Sequence, residues 1–224
     1  MDSYNKVSEI DIVIDGQVHK ALLGVPENAN SIVIFAHGSG SSRLSKRNNF
    51  VADVIRQRVI ATLLFDLLTL EEDRVYANRF DIPLLTHRLI EATLWILAQP
   101  QFAGYKVGYF GASTGAAAAL QAAAQLGKGV SAVVSRGGRP DLAGTADLNL
   151  VLAPTLLIVG GDDNAVIELN QQAYSKLTSV KELKIIPGAT HLFEEPGTLE
   201  QAADQAAEWF EKYFTGTEPD RINA

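Results

Sequence analysis

The stretch from Tyr105 to Ala124, YKVGYFGASTGAAAALQAAA, constrains the fold of this chain more than any other. It opens with strand-forming residues, passes through the turn Gly111–Gly115, and continues into alanine, leucine and glutamine, which are strong helix formers. A strand, a G-x-S-x-G turn and a helix in direct succession are the context in which a serine is presented as a nucleophile. The pattern therefore predicts that Ser113 projects from the carboxyl edge of a sheet.

The residues of this turn have to be small because the chain reverses sharply between strand and helix, which accounts for Gly111 and Gly115. The following helix would point its free N–H groups and its positive dipole end at the same spot. The alternative is an ordinary turn, because G-x-S-x-G also occurs by chance. Other parts of the chain have to decide between these interpretations.

Composition favours one soluble α/β domain of residues 1–214, followed by a polar tail of residues 215–224. The chain has 224 residues, 47% of them hydrophobic, which is enough for a sizeable core without disulfides. It has no cysteine, which excludes a thiolate metal site and a cysteine nucleophile. A net charge of -7 without a long basic run argues against a nucleic-acid partner. The polar N-terminus and the lack of a membrane-length apolar run predict a cytoplasmic protein without membrane association, whose oligomeric state stays open.

Strand and helix patterns alternate along the chain. They predict an α/β fold: a mostly parallel sheet of about eight strands with helices on both faces and an antiparallel hairpin at its N-terminal edge. Besides the strand and helix around Ser113, strands are expected at 9–14, 18–25, 31–36, 59–65, 129–135, 155–159 and 182–186, and helices at 45–58, 82–98, 166–177 and 199–214.

A serine nucleophile needs a base to accept its proton and a third group to orient that base. Of the four histidines, His191 directly follows the last predicted strand, whereas His19 is expected in solvent and His87 on a helix. The strand before His191 ends in VGGDDNAV, which offers Asp162 and Asp163 as the acid. Serine, acid and histidine thus occur in this order, each just past the end of a different strand.

With these residues the sequence resembles the α/β-hydrolase superfamily, and within it the small, lid-poor branch typified by dienelactone hydrolase. The resemblance covers nearly the whole chain. The superfamily's Gly-x-x-Asp-x-x-Val pattern matches Gly160, Asp163 and Val166, which implies Asp163 as the acid, with Asp162 as the fallback.

The same resemblance implies an oxyanion loop at His37-Gly38. In that loop the backbone N–H groups of Ser39 and Thr114 would bind the developing oxyanion, and His37 would be architectural. One departure concerns the nucleophile: dienelactone hydrolase itself uses a cysteine, where this chain has a serine. The resemblance therefore implies a fold and a triad but leaves the substrate open. The short connection 136–154 predicts a minimal lid or none, and an open site.

Arginines are concentrated in the loops at the carboxyl edge of the predicted sheet. Arg43 and Arg136 are the candidates for binding a carboxylate or phosphate of the substrate, and Arg136 is the stronger one because it ends a buried strand beside the nucleophile. The alternative is that the loop arginines pair with neighbouring acidic side chains, such as Asp73 and Asp141.

The sequence thus predicts a serine hydrolase of a small carboxylic ester, thioester or lactone, with Ser113, His191 and Asp163 as the triad. No metal or organic cofactor is expected, because ligand spacing such as H-E-x-x-H does not occur. An acyl transferase or a peptidase would use the same triad. A non-catalytic binding module on this fold is a further alternative, since fold does not fix function.

Overall fold

The predicted strands assemble into one eight-stranded sheet in the computed structural model, which describes residues 6–216. The strands run in the order β1-β2-β4-β3-β5-β6-β7-β8. Their bounds are β1 Val7–Ile14, β2 Gln17–Gly24, β3 Ser31–Ala36, β4 Ala61–Phe65, β5 Lys106–Ala112, β6 Ala132–Arg136, β7 Thr155–Gly160 and β8 Lys181–Ile186.

The β1–β2 hairpin is antiparallel, and β2 also pairs antiparallel with β4. The other neighbouring strands pair in parallel, so the carboxyl ends of β3 to β8 meet at one edge. The predicted fold class is confirmed. Loops that leave this edge converge in space although they are far apart in sequence, which is why sites in such sheets form there.

Seven α-helices connect or flank the strands within residues 6–216: α1 Lys46–Gln57, α2 Leu70–Asp73, α3 Ile82–Leu97, α4 Thr114–Leu126, α5 Thr145–Leu150, α6 Asn164–Lys176 and α7 Thr198–Thr215. The helices at 45–58, 82–98, 166–177 and 199–214 were predicted to within two residues of these bounds. None of the helices in the described part of the chain combines the length and the apolar character that a bilayer crossing requires. The predicted C-terminal tail falls mainly on residues 217–224, which lie outside the described residues.

Two predictions about local structure were incomplete. The charged segment after β4 contains helix α2, which begins with a capping box: Thr69 accepts from the Glu72 N–H, and the Glu72 side chain accepts from the Thr69 N–H. Strand β6 begins at Ala132 instead of residue 129, because residues 127–129 form a 3-10 turn. Both features are short hydrogen-bonded turns, which apolar periodicity does not detect.

The sheet separates two apolar layers. Along β3, Ile32 and Ile34 pack into the layer that includes α3 and α4, whereas Val33 and Phe35 pack into the layer that includes α1 and α7. All six residues of β3 are buried, as the continuous apolar run 31–36 predicts for a strand covered on both faces.

Helix α4 is buried along most of its length, from Thr114 to Leu120 and again at Ala122 and Ala123. Its alanines allow close packing against the sheet and α3. The polar exception is Gln121, which accepts from the Thr86 hydroxyl at 2.9 Å and donates to the Ala143 carbonyl at 3.1 Å. This amide is half-buried, and both of its ends find partners.

Truncation of Phe210 tests the layer formed by α1 and α7. This side chain is 0% exposed and stacks on Phe214 with ring centroids 5.7 Å apart. We expect Phe210→Ala to lower the free energy of unfolding by about 3–5 kcal/mol, because it leaves a cavity in a packed core. Chemical denaturation measures this change. Leu150→Ala is the control, since Leu150 is 59% exposed and its truncation should cost under about 1 kcal/mol. Equal losses in the two variants would contradict this account of the core.

Candidate active site

Ser113 lies in a backbone conformation that non-glycine residues rarely adopt, with φ 51° and ψ -123°. The turn is tight on both sides. A Cβ at Gly111 would lie 2.4 Å from Ala116 Cα, and a Cβ at Gly115 would lie 2.1 Å from the Ala36 carbonyl oxygen. A side chain at either glycine would overlap backbone atoms, so both positions need glycine. This lets the start of α4 lie directly against the end of β3.

Backbone hydrogen bonds hold this strained residue in place. The Ser113 N–H donates to the Arg136 carbonyl at 3.3 Å. The Ser113 carbonyl accepts from the N–H groups of Ala116, at 3.1 Å, and Arg139, at 3.0 Å. The last residue of β6 thus accepts from the Ser113 N–H, and the loop after β6 donates to the Ser113 carbonyl.

His191 pairs with Asp163, with 2.7 Å between Nδ1 and Oδ2. An ionised carboxylate can only accept, so Nδ1–H donates and Nε2 is left as the basic nitrogen. Asp163 follows β7 as the N-cap residue of α6, and its side chain is 15% exposed. Asp162, the fallback, has an exposed side chain and uses its N–H on the Ala189 carbonyl. Of the two candidate acids, the structure places Asp163 against the imidazole.

Ser113 and His191 line one open cavity of about 260 Å³ at the carboxyl edge of the sheet. The side chains of Ser113 and His191 are not hydrogen-bonded to each other. In proteins without substrate such contacts are often long and tighten only in the reactive complex. Groups from the loops after β3, β5, β6 and β8 thus meet at one cavity, and the loop after β7 supplies the partner of the histidine.

The two glutamates after His191, Glu194 and Glu195, each bind a neighbouring residue in this region. Glu195 accepts from the Thr190 N–H at 3.0 Å and the Thr190 hydroxyl at 2.6 Å. These hydrogen bonds lower the pKa of the Glu195 carboxyl. Glu194 pairs with Arg47 at 2.9 Å.

The predicted oxyanion loop is fixed by His37. Its Nδ1–H donates to the Gly38 carbonyl at 2.9 Å, and its Nε2 accepts from the Leu67 N–H at 3.1 Å. Both ring nitrogens are used by backbone groups in the neutral imidazole, and burial lowers the pKa of His37. His37 therefore holds the loop after β3 to the end of β4.

Ser39 and Thr114, the predicted oxyanion donors, lie side by side, but the Ser39 N–H is not free. It donates to Thr114 Oγ1 at 2.9 Å. The prediction that both N–H groups bind an oxyanion therefore needs a qualification: the hydroxyl of Thr114 already accepts from one of them. The sequence could not indicate this, because the contact joins residues 75 positions apart.

Arg43 and His19 depart from their predicted surroundings. Arg43 does not line the cavity, because its Nη1 donates to Asp66 Oδ2 at 2.6 Å and its N–H donates to Asp66 Oδ1 at 2.7 Å. This pairing turns the side chain toward the end of β4. His19 was expected in solvent but is 1% exposed and hydrogen-bonds the Asp66 carbonyl through Nδ1.

Arg136 does line the cavity, and it is 7% exposed. Its Nη2 donates to Asn48 Oδ1 at 3.2 Å. Sequence reasoning did not single out Asn48. An asparagine on the buried stripe of a helix pattern that includes Val51 and Ile55 is the signal that could have found it. Within residues 6–216, the structure brings together no cluster of three or more His, Asp or Glu side chains that could hold a metal ion.

The model of the dienelactone hydrolase family matches residues 50–215. The chain belongs to the dienelactone hydrolase family. A dienelactone hydrolase from Anabaena variabilis, known from a crystal structure, is 52% identical to it with a TM-score of 0.90, over 93% of this chain and 98% of that one. The recognised resemblance and the α/β-hydrolase fold are thereby confirmed.

Two Mycobacterium tuberculosis proteins, from strains CDC 1551 and H37Rv and provisionally named phosphoribosyl transferases, are each 60% identical to the chain over 197 residues. The match covers 88% of this chain and 44% of each relative, so the chain spans less than half of their length. Est1E from Butyrivibrio proteoclasticus shares the fold, with a TM-score of 0.79 at 16% identity over 92% of this chain and 99% of that one.

Gly115→Ala tests the close approach of α4 to β3. We expect a loss of more than about 2 kcal/mol of folding free energy, because the added methyl group would overlap the Ala36 carbonyl. Gly129→Ala is the matched control: a Cβ there meets Leu126 Cβ at an ordinary 3.7 Å. Urea denaturation of both variants measures the difference. Similar stability of the two variants would show that the turn has room for a side chain.

Acid destabilisation tests the role of His37. Below its ordinary pKa of 6.5 the unfolded chain binds a proton that the folded protein, whose His37 pKa is lowered, does not bind. Folding stability should therefore fall as the pH drops from about 7 toward 5, and this part of the fall should disappear in His37→Gln. Denaturation midpoints at several pH values measure it. His87→Gln, at a half-exposed histidine outside the loop, should retain the fall. A pH dependence unchanged by His37→Gln would exclude this role.

Proposed function

We propose that this protein is a serine hydrolase that cleaves a small carboxylic ester, thioester or lactone through an acyl-enzyme. The observation that carries the proposal is the His191–Asp163 pair at the rim of the cavity that contains Ser113. The family assignment supports hydrolysis on an α/β-hydrolase fold. The serine nucleophile and the class of bond cleaved are our inference from the geometry.

In the proposed reaction, Ser113 Oγ attacks the substrate carbonyl while His191 Nε2 takes the hydroxyl proton. Asp163 keeps the imidazole in the tautomer with Nδ1–H and stabilises the imidazolium that forms. His191 then gives the proton to the leaving oxygen or sulfur as the acyl-enzyme forms. Water, deprotonated by the same nitrogen, attacks the acyl-enzyme, and collapse of the second tetrahedral intermediate returns the proton to Ser113.

The negative charge on the carbonyl oxygen would be met at the start of α4. The Thr114 N–H is the first amide of that helix and has no intrahelical acceptor. The Ser39 N–H can contribute once it turns from Thr114 Oγ1 to the oxyanion. Such donors stabilise charge that develops in the transition state and are worth about 3–4 kcal/mol each in well-studied enzymes.

Acyl transfer and peptide cleavage would use the same groups with a different acceptor or leaving group, and within the described residues no contact favours either. The transferase name of the Mycobacterium tuberculosis relatives belongs to proteins more than twice as long as the matched region. We do not extend that name to this chain. Hydrolysis is the simplest proposal because an open cavity admits water as the acceptor.

Substitution of the triad tests the proposal. Ser113→Ala and His191→Ala should each lower kcat for a short-chain para-nitrophenyl ester by about 10³-fold or more. Ser113→Ala should also abolish labelling by a fluorophosphonate probe. Both variants should keep the wild-type circular dichroism spectrum. Full ester activity in Ser113→Ala, or an inert wild-type protein, would refute the proposed function.

Asp163→Asn and Asp162→Asn form a matched pair that tests the acid. Asp163→Asn should lower kcat by about 10³–10⁴-fold, because the amide favours the wrong imidazole tautomer. Asp162→Asn should change kcat by less than about threefold, because its exposed carboxylate is not the one bonded to His191. Steady-state kinetics decide between the two aspartates. The reverse order of effects would make Asp162 the acid.

A further inference from the structure

His191 lies in the connection 187–197 between β8 and α7. Its side chain is 40% exposed, and among residues 6–216 its imidazole makes one hydrogen bond, the one to Asp163. A side chain with so few contacts takes its position from the backbone that carries it. The contacts of this connection therefore decide where the proposed base lies.

The chain is buried on both sides of the histidine. Ala189 is 0% exposed, and its carbonyl accepts from the Asp162 N–H at 2.9 Å. A Cβ at Gly160 would lie 2.4 Å from the same carbonyl oxygen, so the connection runs directly against the end of β7. Phe193, two residues after the histidine, is 2% exposed. Between these buried residues, the segment 190–192 is exposed or half-buried and contains His191.

Phe193 has a φ of 55°, which a bulky residue rarely adopts. Such a backbone conformation persists only where surrounding contacts hold it. The Phe193 N–H donates to the Thr190 carbonyl at 3.2 Å. Within residues 6–216 this is the one backbone hydrogen bond that spans His191. The segment 190–192 thus needs further support from side chains.

The Glu195 carboxylate supplies that support. Its Oε2 accepts from the Thr190 N–H at 3.0 Å, and its Oε1 accepts from the Thr190 hydroxyl at 2.6 Å. Both donors belong to the residue directly before His191, and the carboxylate belongs to the residue four positions after it. Hydrogen bonds to an ionised acceptor are stronger than those between neutral groups. This Glu195–Thr190 contact closes residues 190–195 into a ring that contains the histidine.

The backbone of Glu195 is joined to α7. Its carbonyl accepts from the Thr198 N–H at 3.1 Å and from the Thr198 hydroxyl at 2.7 Å. Thr198 is the first residue of the 18-residue helix α7, which buries Trp209 and Phe210 in the layer that it shares with α1. Glu195 therefore connects a firmly packed helix with the exposed segment that carries His191.

We propose that Glu195 is a positioning residue for His191: by holding Thr190, its carboxylate keeps the imidazole at Asp163 and directed to the cavity. This proposal rests on the hydrolase function proposed above. Glu195 does not line the cavity, so it acts through the backbone of residues 190–195. Its loss should slow the chemical step and leave substrate binding unchanged, because a misplaced base affects proton transfer and not the contacts of the bound substrate.

Glu195→Gln tests the proposal, because glutamine has nearly the same shape but a single, uncharged acceptor oxygen. With para-nitrophenyl acetate, kcat should fall by about 10–100-fold while KM stays within about twofold of the wild type. The midpoint of thermal unfolding should stay within about 3 °C, since substitutions at the surface cost little stability. Glu194→Gln is the matched control. Glu194 is the neighbouring glutamate but pairs with Arg47, and its substitution should leave kcat near the wild-type value.

A double-mutant cycle tests the contact itself. Thr190→Val removes the hydroxyl bond and keeps the N–H, so it should lower kcat less than Glu195→Gln does. The double variant should lie within about twofold of Glu195→Gln alone, because both changes break the same contact. Losses that multiply would show that the two residues act independently, which would overturn the proposal.

Proton NMR gives a readout that does not depend on turnover. The Nδ1–H of His191, bonded to Asp163, gives a downfield resonance that is identified by its absence in Asp163→Asn. In Glu195→Gln this proton should exchange with solvent at least about tenfold faster than in the wild type, because the segment 190–192 opens more often. In Glu194→Gln the exchange should keep the wild-type rate.

A wild-type kcat in Glu195→Gln, equal losses in the two glutamine variants, or a raised KM with unchanged kcat would each overturn the proposal while leaving the hydrolase intact. A wild-type protein that is inert toward the ester would instead refute the hydrolase function. In that case the histidine resonance still tests the role of Glu195. Faster exchange in Glu195→Gln alone supports the role, and unchanged exchange overturns it.

Discussion

The site depends on the backbone of Ser113, which is held with a positive φ between β5 and α4. A non-glycine residue in such a conformation costs about 1–3 kcal/mol, so surrounding contacts have to impose it. Here they include backbone hydrogen bonds to Arg136 and Arg139 and the packing of an alanine-rich helix against the sheet. Gly115 lies against the end of β3, and the hydrogen bonds of Ser113 reach β6 and the loop after it, so the position of the nucleophile is coupled to both.

That coupling extends along the carboxyl edge of the sheet through backbone hydrogen bonds. The Gly137 N–H donates to the Ile158 carbonyl at 2.8 Å, which ties the loop after β6 to β7. The Asp162 N–H donates to the Ala189 carbonyl at 2.9 Å, which ties the loop of the acid to the loop of His191. Asn170 on α6 is fully buried and donates to the Gly138 carbonyl at 3.0 Å. Hydrogen bonds of this kind between loops help to hold the side chains that the loops carry.

Two charged groups at or beside the cavity, Asp163 and Arg136, differ in how their desolvation is compensated. Asp163 is paired with His191, so its cost of desolvation is offset by a hydrogen bond that also sets the tautomer. Arg136 has two aromatic neighbours and one amide, which offset less of its cost. A buried charge that is only partly compensated lowers stability. Proteins commonly retain such a residue where function requires it.

The sequence by itself determined the fold class, the strand order along the chain and the positions of Ser113, Asp163 and His191 at strand ends. These follow from local signals: apolar periodicity, glycines at a turn, and polar residues placed just past buried runs. The tertiary structure alone decided which partner each polar group has. Arg43 pairs with Asp66, and the Ser39 N–H donates to the Thr114 hydroxyl. Arg136 donates to the Asn48 amide and lines the cavity without a carboxylate partner among residues 6–216. Such pairings join residues tens of positions apart, and the free energy that selects them depends on distance and burial, which no local pattern encodes.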